Sequence, residues 1–339
     1  MKRTTMVVAA ALGLALGLSA CGQGAVQGAN AGGEVYNWDF TISTGKTSTW
    51  HEGAELFAET LREQSGGRMN VNIFTNEQLS GGDQAAGVEQ LMNGEKAFSY
   101  NSTIIYAGLD PKFGAINAPF LYTDFAQAEQ AIDASALAAY EELSESKGVK
   151  LLGFGESGFR QVTNNVRPVD DPADLAAVKI RIPGIGLFTD AYRLLGANPT
   201  TMNFAEVFTS LQQGTIEGQE NPIDIIHSSG LQEVQKYLTV WNYVYDPLIL
   251  GMNKEMFDGL TPEDQQIVLD AAAKANELQI RNNREKEAGQ LEELRGAMEV
   301  TELTPEQAEA FRQAMAPLYE QYRDIWGAEL AEAVQAPKD

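Results

Sequence analysis

Arg160, in Gly158-Phe159-Arg160-Gln161, and Arg181, in Lys179-Ile180-Arg181-Ile182-Pro183, lie on or beside strand-like patterns. Most of the other arginines fall in helical, solvent-facing contexts. A guanidinium flanked by apolar strand residues needs an anion, because an unpaired buried charge is costly. Its planar fork matches a carboxylate through two parallel hydrogen bonds. Arg181 stands at the carboxyl end of its strand, where open α/β sheets bind ligands. The anion is either a ligand carboxylate or an Asp or Glu of the fold, and residue types alone leave both open.

Other chemistry is poorly provided for. His51 and His227 are far apart and lack any H-x-x-H spacing, so no histidine-built metal site is expected. Gly155-Glu156-Ser157-Gly158 lacks the spacing of a nucleophile elbow, and no Gly-rich phosphate loop joins a strand to a helix. Nothing marks two of the 47 acidic residues as a catalytic pair. No cofactor and no catalytic residue are expected.

The elements that must position these arginines follow a β/α pattern. A strand over 35–42, a helix over 50–64, a strand at 71–74, a helix over 84–92 and a strand at 97–100 form the β-α-β-α-β unit of a parallel sheet. A long helix is expected over 126–147, with strands at 149–154 and 159–166. The pattern restarts at Leu175 with a strand at 179–182 and helices over 189–196 and 205–214. Gly218-Gln219-Glu220-Asn221-Pro222 reads as a loop leaving a short strand. From Pro262 to about Arg295 one helix of roughly thirty residues, about 45 Å long, is expected to lie along two lobes. Residues 304–334 read as further helix.

With 339 residues, 44% hydrophobic and 21% charged, the chain can bury a substantial core. A net charge of −23 would repel a phosphate backbone, so nucleic acid is excluded as a partner. Basic Lys2 and Arg3 followed by the apolar run Met6–Leu18 read as an export signal over 1–20, too short to span a bilayer as a mature helix. The run ends in Leu18-Ser19-Ala20-Cys21, which resembles a bacterial lipobox, with Cys21, the chain's one cysteine, as the lipidation site. Residues 21–33 read as a flexible tether.

Six motifs occur together: Gly158-Phe159-Arg160-Gln161, Lys179-Ile180-Arg181-Ile182-Pro183, Phe204-Ala205-Glu206-Val207-Phe208, Leu211-Gln212-Gln213-Gly214, Gly218-Gln219-Glu220-Asn221-Pro222 and Glu233-Val234-Gln235-Lys236-Tyr237. In order and spacing they resemble the DctP-type substrate-binding proteins of tripartite ATP-independent periplasmic (TRAP) transporters, along nearly the whole mature chain. The resemblance implies an α/β, periplasmic-binding-protein-like fold of two lobes with crossing strands, closing on a small organic acid. Lobe I would comprise 35–157 plus 246–283, and lobe II 158–245 plus 284–334. Arg181 would hold the ligand carboxylate, with Asn221 beside it, Arg160 as a second cation and Phe204 packing on the ligand. From the first lobe Trp50, His51, Tyr100 and Asn101 would read the tail. Trp50 could equally fill the core, Glu206 and Glu220 would be structural, and Trp241, Tyr243 and Tyr245 would be hinge packing or pocket wall. Asn101 stands where sialic-acid-binding members carry an acid, so a sugar acid such as a uronate or aldonate, or a C4-dicarboxylate, is expected instead. The implied partners are that acid and the small and large membrane subunits of a transporter, outside the cytoplasmic membrane.

Overall fold

The computed structural model describes residues 33–337. The export signal, Cys21 and the tether up to residue 32 lie outside the described residues. The first half of the fold comprises β1 (Tyr36–Ile42), α1 (Thr49–Gln64), β2 (Met69–Phe74), α2 (Gln84–Met92), β3 (Phe98–Ser102) and α3 (Thr103–Leu109). Helices α4 (Phe125–Ala131) and α5 (Leu137–Glu145) lead into the long strand β4 (Val149–Asn164). Then follow β5 (Lys179–Ile182), α6 (Gly186–Leu194), β6 (Asn198–Thr201), α7 (Val207–Gln212), β7 (Gly218–Pro222) and α8 (Ile223–Ser228). A second long strand, β8 (Tyr237–Asn253), precedes α9 (Lys254–Asp258), α10 (Pro262–Ala297), β9 (Glu299–Glu302), α11 (Pro305–Met315), α12 (Pro317–Trp326) and α13 (Ala328–Ala333).

One topology occurs twice. Strand β1 lies between β2 and β3, parallel to both, and β5 lies between β6 and β7, parallel to both. Each triplet ends on a long strand: β3 pairs antiparallel with β8, and β7 pairs antiparallel with β4. The long strands pair antiparallel with each other, giving the order β2-β1-β3-β8-β4-β7-β5-β6, with β9 beside β8. They are the crossing strands that carry the chain between lobes. Their pairing shifts register near Leu151–Phe154, Glu156–Gly158 and Arg160–Val162, which bends the ladder. Gly158, at φ 100°, supplies a conformation that other residues rarely adopt at one of these bends.

Several sequence expectations change. The segments at 149–154 and 159–166 are one continuous strand, β4. Residues 218–222 are the buried strand β7, not a loop. The helix expected over 126–147 is interrupted by a π-helical turn at Ile132–Ala136, and 304–334 is divided at Pro317 and Gly327. Strand β6 was hidden by Pro199, which an edge strand tolerates because its N–H side needs no partner. Trp241, Tyr243 and Tyr245 are core residues, packed with Tyr192, Phe159 and Phe311.

Helix α10 runs for 36 residues, about 54 Å at 1.5 Å per residue. Its ends follow its sequence: Thr261 caps the first turn, Pro262 opens the helix, and Glu263 and Asp264 face the positive end of the dipole. It packs along α1, β4 and α8 and so spans both halves. Gln279 on α10 donates to the Glu156 carbonyl at 2.7 Å and accepts from the Glu156 N–H at 2.8 Å, satisfying the β4 backbone where the ladder bends. One turn on, Arg284 holds the buried Glu156 carboxylate through Nε and Nη2, at 2.9 and 2.5 Å, and reaches Glu129 on α4. Helices α12 and α13 pack against 111–136 as well as on the second half. Among the described residues no helix is long and apolar enough to cross a membrane.

Glu287, one turn beyond Arg284, faces the same bend. Burial and then the Glu156 charge push its carboxyl up to about 7, with Arg284 opposing. An unfolded Glu titrates near 4.5, so this group costs stability increasingly as pH rises from about 4.5 through 7 and costs nothing below that window. Glu287→Gln is therefore expected to raise the melting temperature at pH 8 and to leave it unchanged at pH 4.5. Equal effects at both pH values in thermal unfolding would remove the assignment.

Candidate ligand-binding cleft

Strands β1, β3, β5 and β7 all end at one place, where the two half-sheets face each other across the long strands. The residues at or just beyond those ends line a small cavity of about 30 Å³: Ser43 and Thr44, Ser102, Pro183 and Asn221. Trp50 of α1, Ile104 and Ile105 of α3 and Ile225 of α8 add walls, while β4 contributes Ser157 and Arg160, β5 Arg181, and β8 Asp246. Phe204 closes one side. An outer chamber of about 390 Å³, sharing Gln84, Ile104, Ile105 and Arg181, lies between α2–α3 and the segment from Thr201 to Glu206.

The two arginines differ in what they touch. Arg160 donates through Nε and Nη2 to the Glu220 carboxylate at 2.5 and 2.8 Å, and through Nη1 to Asp246 at 2.5 Å. Nη2 also reaches the Glu220 carbonyl at 2.9 Å and the Asn221 side-chain oxygen at 3.1 Å. Tyr243 donates to Glu220 at 2.7 Å, and Ser102 to Asp246 at 2.5 Å. Burial opposes the charge on Arg160, but Glu220 and Asp246 outweigh it and hold the guanidinium above its ordinary range. Burial likewise pushes the Asp246 carboxyl up to about 6 against the pull of Arg160. Arg160 thus has the fold-internal counter-charges that residue type alone left open.

Arg181 has none in contact. Its Nε and Nη2 both donate to the Met202 carbonyl, at 2.9 and 2.7 Å, and it lies 5.8 Å from the centre of the Phe204 ring. Among the described residues no carboxylate forms an ion pair with it and no group accepts from Nη1. The residue is only 2% exposed, and burial pushes its guanidinium down to about 10, with Glu220 pulling the other way. A carbonyl dipole solvates a charge without neutralising it. What is left is a desolvated cation with a free donor at the wall of a cavity.

Trp50 reaches the cavity and, at 4% exposure, also fills the first-half core; its indole N–H has no partner among the described residues. Ser157, which sequence reasoning passed over because its Gly-Glu-Ser-Gly context suits no hydrolase, is a second buried group whose hydroxyl has no partner. Asp246 was also missed, lying in an apolar run with no local signal. Asn221 lines the cavity, but its amide donates to Gln219 at 2.6 Å while its oxygen receives Arg160.

Tyr100 and Asn101 do not line the cavity, contrary to expectation. Strand alternation points Tyr100 with Phe98 into the core, and its hydroxyl donates to Asn276 and Gln279 of α10, at 2.9 and 3.2 Å. Asn101 is buried in a network with Ser43, Glu77 and Ser99. The imidazole of His51 lies 3.4 Å from Glu55, beside the helix cap. No cluster among the described residues could hold a metal ion.

This division of labour separates the arginines in unfolding. Arg160→Met strands two buried carboxylates and is expected to cost about 3–5 kcal/mol in urea unfolding, whereas Arg181→Met removes an already disfavoured charge and should cost less than about 1 kcal/mol. Equal losses would contradict the assignment.

Residues 40–324 match the model of the DctP family, bacterial extracellular solute-binding protein, family 7. The 2,3-diketo-L-gulonate-binding periplasmic protein YiaO of Escherichia coli K12 is 35% identical over 240 residues, 71% of this chain and 73% of that one. A TRAP periplasmic solute-binding protein of Ralstonia eutropha H16, solved with bound (S)-2-acetolactate, superposes with a TM-score of 0.85 at 31% identity, covering 88% of this chain and 98% of that one. The sugar acid binding protein DctPAm of Advenella mimigardefordensis, in complex with galactonate, superposes with a TM-score of 0.85 at 30% identity, covering 89% and 97%. The twice-repeated parallel triplet, the crossing strands and the long helix are thus shared with two-lobed TRAP solute receptors. The chain belongs to the DctP family of bacterial extracellular solute-binding proteins and is a TRAP-type solute-binding protein.

Proposed function

We propose that the protein captures a hydroxylated organic acid, a uronate or aldonate in preference to other classes, by seating the carboxylate on Arg181 as the two lobes close. The observation that carries this is the buried guanidinium with a free Nη1 and no contacting counter-ion at the cavity wall. Trp50 and Ser157 offer further unpaired polar groups, and Phe204 supplies an apolar face. The acids bound by relatives support the class: galactonate in DctPAm and diketo-gulonate for YiaO. Asn221 and Arg160 also line the cavity, with Arg160 fixing Asn221 and Asp246 in place. The protein binds and releases its ligand unchanged, with the receptor role of the family supporting a non-enzymatic reading.

The closing bodies are 35–157 plus 246–283 and 158–245 plus 284–334, the bend falling where Glu156 and Gly158 interrupt the β4–β8 register. The loaded receptor docks on small and large membrane subunits and is held outside the cytoplasmic membrane by lipid on Cys21. The lipobox-like Leu18-Ser19-Ala20-Cys21 supports the anchor. Cys21→Ala should move the protein from the membrane to the soluble fraction; wild-type protein already soluble would remove the anchor.

A thermal-shift screen of the purified protein against aldonates, uronates, keto acids, dicarboxylates and sialic acid tests the ligand, since a tight binder raises the melting point by mass action. A hit among acids is expected to weaken by about 3–5 kcal/mol, a hundredfold or more, in Arg181→Ala. Undiminished binding by that variant would refute the carboxylate seat.

A further inference from the structure

Lys96 and Glu77 form an ion pair whose side chains are each 1% exposed, with Nζ 3.4 Å from the carboxylate, directly behind the first-lobe wall of the cavity. Glu77 sits at φ 49°, a left-handed conformation rare outside glycine, and a side chain at Gly87 would overlap its carboxylate. The surrounding chain is therefore shaped to this pair. Lys96 also donates to Thr41, at the carboxyl end of β1. None of these groups lines the cavity, yet they bear on one that does, Ser43.

The direction of each hydrogen bond in this network follows from chemistry. Lys96 only donates, and the Glu77 carboxylate oxygens accept from it. Asn101 lies 2.7 Å from Glu77 and so must turn its NH₂ to the carboxylate, since its carbonyl there would meet like charge. The same NH₂ reaches Ser99 at 3.2 Å. The Asn101 oxygen then faces Ser43, whose hydroxyl must donate to it; the other group in reach of that hydroxyl, Glu77 at 3.4 Å, is also an acceptor. With its proton committed inward, Ser43 has only lone pairs to offer the cavity. Ser102 is fixed in the same sense, because its hydroxyl donates to Asp246. The cavity wall therefore offers donors on Arg181 and Trp50 and acceptors on Ser43 and Ser102.

We propose that the buried Lys96–Glu77 pair, acting through Asn101, fixes Ser43 as an acceptor, so that the cleft selects an acid that also carries a hydroxyl and discriminates against a second carboxylate. Lys96 and Glu77 are positioning residues, with no contact to the ligand. The proposal rests on the carboxylate seat at Arg181: with that seat occupied, Ser43 presents lone pairs to the rest of the ligand. A hydroxyl can donate to them, whereas an ionised carboxylate is repelled.

Matched acids of equal chain length test this: D-erythronate against succinate, and galactonate against adipate, titrated by calorimetry. Wild-type protein is expected to favour the hydroxylated member of a pair by about tenfold or more, the scale of one well-placed hydrogen bond set against one left unmade. The double variant Lys96→Met/Glu77→Gln frees Asn101 to turn over and Ser43 to donate, so the ratio should fall severalfold while binding of acids persists. Ser43→Ala, which leaves the ion pair intact, should lower the ratio through weaker binding of the hydroxylated acid alone, and decides the matter if the double variant does not fold. Dicarboxylates bound as tightly as hydroxy acids by the wild type, or a ratio unchanged in the folded variants, would overturn the proposal while leaving the Arg181 seat standing. Failure of the wild type to bind any of the four acids would overturn both.

Discussion

A guanidinium taken out of water without a counter-ion is unstable against any anion that can reach it, and the cleft is organised around that imbalance. Two arginines share the chamber, but Glu220 and Asp246 both lie against Arg160. Arg181 is left with the Met202 carbonyl, which orients it without cancelling its charge. We propose that this leaves a cation for an incoming acid to neutralise. Such a site needs both a scaffold that holds Arg181 buried and a means of letting the acid in.

The repeated parallel triplet meets the first need. Because β1, β3, β5 and β7 all end at one level, the groups just past their ends converge without a dedicated loop. The long strands meet the second. Where β4 and β8 change register, α10 holds the bend by side chains: Gln279 supplies the missing backbone partners of Glu156, and Arg284 binds its carboxylate. We propose that these local contacts let the flanking half-sheets move as bodies. The aromatic cluster of Trp241, Tyr243 and Tyr192 packs the second half beside the bend.

Much of this was legible in the sequence, and what was not has physical causes. Arg181 was visible because a charged residue between two isoleucines on a strand has few solutions. The partners of Arg160 were not, since Glu220 and Asp246 lie 60 and 86 residues away and pairing across a sheet leaves no local trace. Gly218–Pro222 looked like a loop because its polar residues suit turns; in the fold each of Gln219, Glu220 and Asn221 finds a partner on a neighbouring strand or beside it, which permits a buried polar strand. Tyr100 and Asn101 were drawn toward the ligand by resemblance, whereas alternation along β3 and the demands of Glu77 turn both away. Ser157 carries no signal at all outside the bend that exposes it to the cavity.

A crystal structure of the protein with an acid identified by screening decides where the carboxylate sits. The ligand carboxylate is expected within hydrogen-bond distance of Arg181 Nη1, with Arg160 still bound to Glu220 and Asp246. A carboxylate seated on Arg160 in place of those side chains, or one remote from Arg181, would contradict it.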